Sequence, residues 1–255
     1  MDVVAIFGPT GVGKTGVAIE LAALLRERGE DPVAINCDAL QVYEGLEALT
    51  GAATAEEQER LEHRLLSFVP VTEDFSVGDY MPLAHAEIDA ALAASRRPLV
   101  LGGTGLYLRA ALADLSLRRV PPDSADSELW SPETRRPTRI FGLDMDRTQL
   151  YERIDARVEA IVAAGAVEEA RRAEALGPGR SARKALGFDE LLAGQLEAMK
   201  QRSRNYARRQ LTWARKIPNL TWIDRTGLSD ADVARRVDGP ISGNMRTKSA
   251  QRRRG

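Results

Sequence analysis

The sequence predicts an α/β fold in which a parallel sheet is flanked by helices. Three neighbouring segments lead there. Val3–Phe7 is a short, apolar, β-branched run that stops at glycine, as a buried strand does. Residues 14–28 carry apolar side chains at helical spacing (Val17, Ala18, Leu21, Leu24, Leu25) before Gly29 ends the pattern. Residues 32–37 form a second buried run that ends at Asp38. Strand, helix and strand within about 35 residues make a parallel βαβ unit.

The pattern then repeats with variations. Residues 54–66 are polar and expected to be helical, and residues 79–95 predict a further helix. Residues 98–101 predict a third buried strand, running into Gly102-Gly103-Thr104-Gly105, and 106–112 the next helix. Residues 116–137 are rich in Pro, Ser, Arg and Asp and have no periodicity, so they are expected to form a loop or linker. Order returns with a strand at 139–143. Asp146 is placed to cap a long helix ending near Gly165, and Ala166–Leu176 forms another. Residues 181–216 are expected to be helical and basic, and 220–223 a last strand. The expected organisation is a core at 1–115, a linker at 116–137, the remainder of the core with basic helices at 138–238, and a disordered tail at 239–255.

Composition narrows the classes. A chain of 255 residues with 44% hydrophobic and 29% charged side chains has enough apolar content for a sizeable globular core. The net charge of −1 gives no overall attraction to a polyanion, but residues 176–216 hold ten Lys/Arg against three Asp/Glu. Such clustering fits a nucleic-acid footprint as well as a solvated helical face. A single cysteine, Cys37, excludes an internal disulfide. No apolar run approaches the roughly 20 residues of a membrane helix, and a strand begins almost at once, so neither membrane insertion nor a signal peptide is expected. The expected compartment is the cytoplasm.

Gly8-Pro9-Thr10-Gly11-Val12-Gly13-Lys14-Thr15 fits the P-loop pattern G-x4-G-K-[ST], which makes the sheet P-loop NTPase-like. The glycines let backbone N–H groups curl around phosphate oxygens, Lys14 adds a point charge, and the Thr15 hydroxyl suits Mg²⁺. The helix that follows aims its positive end at the anion. A phosphoryl-transfer enzyme usually has a carboxylate at the end of another core strand. The strand at 98–101 ends instead in Gly102-Gly103-Thr104, and Asp38 is the acid at a strand's carboxyl end near the P-loop. From position alone Asp38 suits a metal ligand, a general base or a helix cap.

Four separated stretches, read together, resemble the tRNA dimethylallyltransferases, also called tRNA isopentenyltransferases. They are the P-loop, Asp38-Ala39-Leu40-Gln41-Val42-Tyr43, Gly102-Gly103-Thr104-Gly105-Leu106-Tyr107 and Arg208-Arg209-Gln210-Leu211-Thr212-Trp213-Ala214-Arg215. The resemblance runs from Val3 to about Asp224. It implies transfer of the dimethylallyl group of dimethylallyl diphosphate to the N6 amine of the adenosine just 3′ of the anticodon. The products would be a prenylated tRNA and diphosphate. It also implies roles for particular residues. Residues 8–15 would hold the diphosphate, with Mg²⁺ on Thr15, and Asp38 would take the proton of the attacking amine. Thr104 would contact the adenosine or diphosphate, and Arg157 would reach the diphosphate from the long helix, with Arg153 on the same face. The tRNA would meet Asp38, Ala39, Leu40, Gln41, Thr104, Lys184, Gly187, Arg208, Arg209, Gln210, Thr212, Trp213 and Arg215. The plainer readings of these residues are a turn for Thr104, an exposed helix arginine for Arg157, and core packing for Trp213 and Phe188.

Relatives of this kind carry a helical insertion that grips the anticodon stem-loop, between the Gly-Gly-Thr segment and the next strand. Here that interval is only residues 116–137, and neither His63 nor His85 falls in it. The resemblance therefore implies a monomeric prenyltransferase without its RNA clamp. Two alternatives remain at this level: prenyl transfer to free adenine nucleotides, and a clamp-deleted RNA-binding form with little activity.

Overall fold

The computed structural model describes residues 1–116 and 128–240. Its elements in chain order are β1 (Val3–Phe7), α1 (Lys14–Glu27), β2 (Asp31–Asn36), α2 (Glu47–Thr50), α3 (Ala55–Arg60), β3 (His63–Arg64), α4 (Val77–Ala93), β4 (Arg96–Gly102), α5 (Gly105–Leu112), β5 (Thr138–Asp144), α6 (Arg147–Ala163), α7 (Ala166–Leu176), α8 (Phe188–Leu192), α9 (Leu196–Ala214), β6 (Leu220–Asp224) and α10 (Asp230–Asp238). The six strands form one parallel sheet in the order β3-β2-β4-β1-β5-β6. The α/β architecture with a parallel sheet is therefore present. Strands from residues 1–115 and from residues 138–238 share that sheet.

β1 lies in the middle of the sheet, and its alternation sorts the core. Val4 and Ile6 face a cluster built with Val17, Leu21 and Leu25 of α1 and Val233 and Val237 of α10. Val3, Ala5 and Phe7 face the opposite cluster, with Tyr80, Ala84 and Ile88 of α4 and Leu108 of α5. A third cluster joins Val42, Tyr43, Leu46 and Leu49 to Val158, Phe188 and Met199, so the segment after β2 is packed against α6, α8 and α9.

Two expectations need correction. The helix expected at 54–66 ends at Arg60. Leu61 adopts an extended backbone and is fully buried, which releases His63–Arg64 to pair with β2 as an edge strand. The basic helix expected at 181–216 is three pieces: a 3₁₀ turn at Ala182–Lys184, α8 and α9. Gly187 (φ 93°) and Gly194 (φ 67°) supply the left-handed corners that separate them. In the linker at 116–137, residues 117–127 lie outside the described residues. Glu128–Trp130 forms a 3₁₀ turn. Arg109 holds the return path by donating to the carbonyls of Leu129, Ser131 and Glu133. Of the tail expected at 239–255, residues 241–255 lie outside the described residues. α10, α2 and β3 were not expected from the sequence.

Candidate active site

Gly11 (φ 78°) and Gly13 (φ 86°) take the left-handed turns that let residues 8–15 fold back over the start of α1. The Lys14 ammonium lies inside this curl and donates to the carbonyls of Gly8 (3.0 Å) and Pro9 (3.1 Å). Burial is the main influence on it and lowers its pKa to about 8; Asp38 opposes the shift and Arg157 adds to it. The sign follows. An anion draws on the protonated form, and Lys14 of the free protein gives up that proton as pH rises through about 8. Dimethylallyl diphosphate, titrated without RNA or divalent cation, is expected to bind about tenfold more weakly at pH 9 than at pH 7, with proton uptake on binding. Calorimetry in two buffers of different ionisation heat checks this. Equal affinity at both pH values would remove Lys14 as the anion's partner.

Asp38 stands at the end of β2, and its approach is fixed by a buried amide. Asn36, 3% exposed, accepts from Asp38 N–H and donates to the carbonyls of Asp38 and Leu65. Asp38 Oδ1 accepts from Leu40 N–H at 3.1 Å. Thr104 Oγ1 accepts from Ala39 N–H at 3.2 Å, which ties this turn to the one after β4.

Two cavities share the Asp38 wall. The polar one, about 220 Å³, is lined by the P-loop, Asp38, Gln41, Glu57, His63 and Arg157. The other, about 50 Å³, is walled mainly by aliphatic groups, including Leu40, Leu49, Ile154, Val158 and Met199. Thr10, Asp38, Thr50 and Arg157 belong to both. Arg157 donates to the carbonyls of Thr50 and Gly51, each at 3.2 Å, and burial lowers its pKa. Gln41 donates to the same carbonyls. Arg153 shares the helix face but is exposed and donates to the Gly11 carbonyl.

α9 explains why its sequence matters to this site. Tyr206, Gln210 and Trp213 recur at helical spacing and meet the Gly102–Gly105 turn in succession. The Tyr206 hydroxyl pairs with Thr104. Gln210, 4% exposed, accepts from Thr10 N–H (2.8 Å) and donates to the Gly103 carbonyl (2.9 Å), so both ends of its amide clasp the P-loop to the turn. Trp213 packs against Gly105, where an added Cβ would fall 2.0 Å from its ring. The residues expected to meet RNA thus divide. Asp38, Leu40 and Gln41 line the cavities, while Ala39 and Thr104 line neither and hold the adjoining turns together. Gln210 is spent on internal bonds, and Gly187 is buried as the corner before α8. Lys184, Arg208, Arg209, Thr212 and Arg215 are exposed, and Trp213 is half-buried. Phe188 is fully buried.

Arg225 was not foreseen. It is 2% exposed, bonds to the Val12 carbonyl and to Asp230 (2.7 Å), and lies against Gly13, so the chain after β6 braces the P-loop from behind. Its only sequence signal is an arginine directly after a buried strand.

The sequence profile of the IPP transferase family matches residues 41–136 and 123–217. The tRNA dimethylallyltransferase of Salinispora tropica is 33% identical over 304 aligned positions, covering 94% of this chain and 93% of that protein. The chain belongs to the IPP transferase family. The alignment is longer than the chain's 255 residues, so that relative has positions with no counterpart in this IPP transferase. The tRNA isopentenylpyrophosphate transferase of Bacillus halodurans superimposes with a TM-score of 0.77 at 28% identity, covering 93% of this chain and 95% of its own. A eukaryotic dimethylallyltransferase crystallised acting on tRNA shares the fold, with a TM-score of 0.70 at 21% identity, covering 92% of this chain and 75% of its own. Among the described residues, no helix of this IPP transferase is long and apolar enough to cross a membrane.

Proposed function

We propose that this IPP transferase, acting as a monomer in the cytoplasm, moves the dimethylallyl group of dimethylallyl diphosphate to the N6 amine of the adenosine 3′-adjacent to the anticodon of tRNA. The observation that carries this reading is the wall shared by the two cavities. A prenyl diphosphate has a polyanionic head and a short aliphatic tail, and its reacting carbon lies where the two join. Here a phosphate-gripping cavity meets an aliphatic one at Asp38 and Arg157. The family relatives named above support the same assignment.

The chemistry follows from that placement. The adenine N6 lone pair attacks the prenyl C1 while the C1–O bond breaks and its electrons leave on diphosphate. The N6 proton passes to the Asp38 carboxylate, whose Oδ1 is steadied by Leu40 N–H. Backbone N–H groups of the P-loop from Gly11 onward, Lys14 and Arg157 stabilise the growing negative charge on the leaving group. Mg²⁺ fits this site. The Thr15 hydroxyl is a hard oxygen donor on the polar cavity, and among the described residues no cluster of three His, Cys, Asp or Glu could hold a metal by itself. That is the donor set of an ion held by substrate phosphates, water and one or two side chains. When bound, the ion would offset charge on the departing diphosphate.

Incubation with Mg²⁺, labelled dimethylallyl diphosphate and either an anticodon stem-loop or AMP tests the reading. Label is expected in the stem-loop, with transfer falling steeply as salt rises because the RNA is held by exposed arginines. Label in AMP alone, or in neither acceptor, would overturn it.

A further inference from the structure

The cleft between α6 and α9 has two unlike ends. Near Asp38 it closes into the aliphatic cavity. At the other end, where α6 begins and α9 finishes, it opens into a groove of about 340 Å³. That volume falls within the range of roughly 300–1,000 Å³ usual for small-ligand sites. Leu150 and Leu211 give the groove an apolar floor, and the half-buried Tyr151 ring stands beside them. Arg147, Arg208 and Arg215 are exposed around it.

Arg147 lies over the Tyr151 ring, 5.9 Å from its centroid, and can stack with a base there, which leaves Arg208 and Arg215 for a phosphate. In the basic stretch before them, Arg183, Lys200, Arg202 and Arg204 are each paired with carboxylates. Among the described residues Arg208 and Arg215 form no ion pair; Arg208 donates only to Asn205. Beneath them lies Asp144, at the carboxyl end of β5. One of its oxygens accepts from Met145 N–H. Burial, followed by Asp224, disfavours its charge, while Met145 N–H and Arg215 oppose the shift. The groove thus combines cations for a phosphate, an aromatic face and apolar floor for a base, and a carboxylate acceptor suited to an exocyclic amine.

We propose that this groove holds one unpaired nucleotide of the RNA substrate other than the target adenosine. Its phosphate lies on Arg208 and Arg215, its base on Tyr151, and the amine of a cytosine or adenine on Asp144. The assignment rests on the tRNA reading given above, and it supplies an RNA contact outside the segment at 116–137.

The test reads RNA binding separately from transfer. Fluorescence anisotropy with a labelled anticodon stem-loop is measured for the wild type, Tyr151→Ala, Tyr151→Phe and Asp144→Asn, with loop positions made abasic one at a time. One abasic position besides the target is expected to weaken wild-type binding about tenfold or more. Tyr151→Ala should lose a similar factor on intact RNA and become indifferent to that position, while Tyr151→Phe keeps wild-type affinity. Asp144→Asn, which preserves shape should Tyr151→Ala fold poorly, is expected to lose the preference for adenine or cytosine over uracil there. Dimethylallyl diphosphate affinity should not change in any variant. Unchanged RNA affinity in both Tyr151→Ala and Asp144→Asn would overturn the inference, as would additive losses from variant and abasic site. AMP binding that depends on Tyr151, with RNA binding that does not, would make the groove a mononucleotide site and overturn the RNA assignment. Wild-type protein that shows the expected binding pattern but leaves RNA unlabelled would instead sink the prenyl-transfer reading and leave the groove standing. Wild-type protein that binds no stem-loop would sink both.

Discussion

Replacing Asp38 with asparagine is expected to lower kcat for RNA prenylation about a thousandfold, within the ~10²–10⁴ range for losing a positioned base. Asparagine keeps the shape, and its amide oxygen can still accept from Leu40 N–H as Asp38 does. What it lacks is an oxygen basic enough to take the N6 proton. Dimethylallyl diphosphate affinity should change only a few-fold at pH 7, because two effects oppose each other. The Asp38 charge helps keep Lys14 protonated, yet it also faces the anionic head across the same cavity. Single-turnover rates with RNA saturating, alongside calorimetric titration of the donor, separate the two quantities. A kcat within tenfold of wild type would remove Asp38 as the proton acceptor.

Gly102→Ala is expected to damage both fold and catalysis although it adds one methyl group. β2 and β4 are direct neighbours, with Asn36 opposite Leu101, so Gly102 lies alongside Cys37. A Cβ at Gly102 would fall 2.5 Å from the carbonyl carbon, the carbonyl oxygen and the sulfur of Cys37. Two of those atoms are backbone, so no side-chain rotation relieves the contact. The strand end must move, and the next residue along it is Asp38. Overpacking of this kind costs about 1–3 kcal/mol, or roughly 2–12 °C in Tm for a chain of this size. A displacement near 1 Å at the base is worth about a hundredfold in rate. Thermal melts and single-turnover rates below the melting range are expected to show both losses. A variant with wild-type Tm and wild-type rate would contradict the close approach of the two strands.

The parts of this molecule legible in the sequence are those whose signal is local. β1, α1 and β2 follow from periodicity, and the turns of the P-loop from glycines at fixed spacing. The α6 cap was also readable, since Asp146 accepts from Thr148 and Gln149 N–H. Other features depend on partners far along the chain. Gln210 reaches Thr10 across 200 residues, and nothing in its own neighbourhood distinguishes a buried clasp from an RNA contact. Arg225 looks like a charged residue in a turn until the sheet brings it behind Val12. β3 has two residues, too few for any alternation to register. α10 was legible in part, because Ser229 and Asp232 form a capping box, but its charged composition hid the stripe of Val233, Ala234 and Val237. The long basic helix was overdrawn because charge carries no period, while the corners at Gly187 and Gly194 do interrupt one.

The brace between Arg225 and the Val12 carbonyl has a consequence for how the molecule is made. Its partners are 213 residues apart, a stretch that takes a ribosome roughly 10–40 s to synthesise. β1 leaves the tunnel before the other five strands, yet it is a central strand whose neighbours β4 and β5 arrive much later. Until they do, both of its edges lack a strand to pair with, and the loop that follows has neither Gln210 in front nor Arg225 behind to fix its turns. The nascent chain therefore carries the anion-binding motif long before the two side chains that fix its turns are made, and a segment synthesised ahead of the rest of the sheet is among the late ones to reach its working shape.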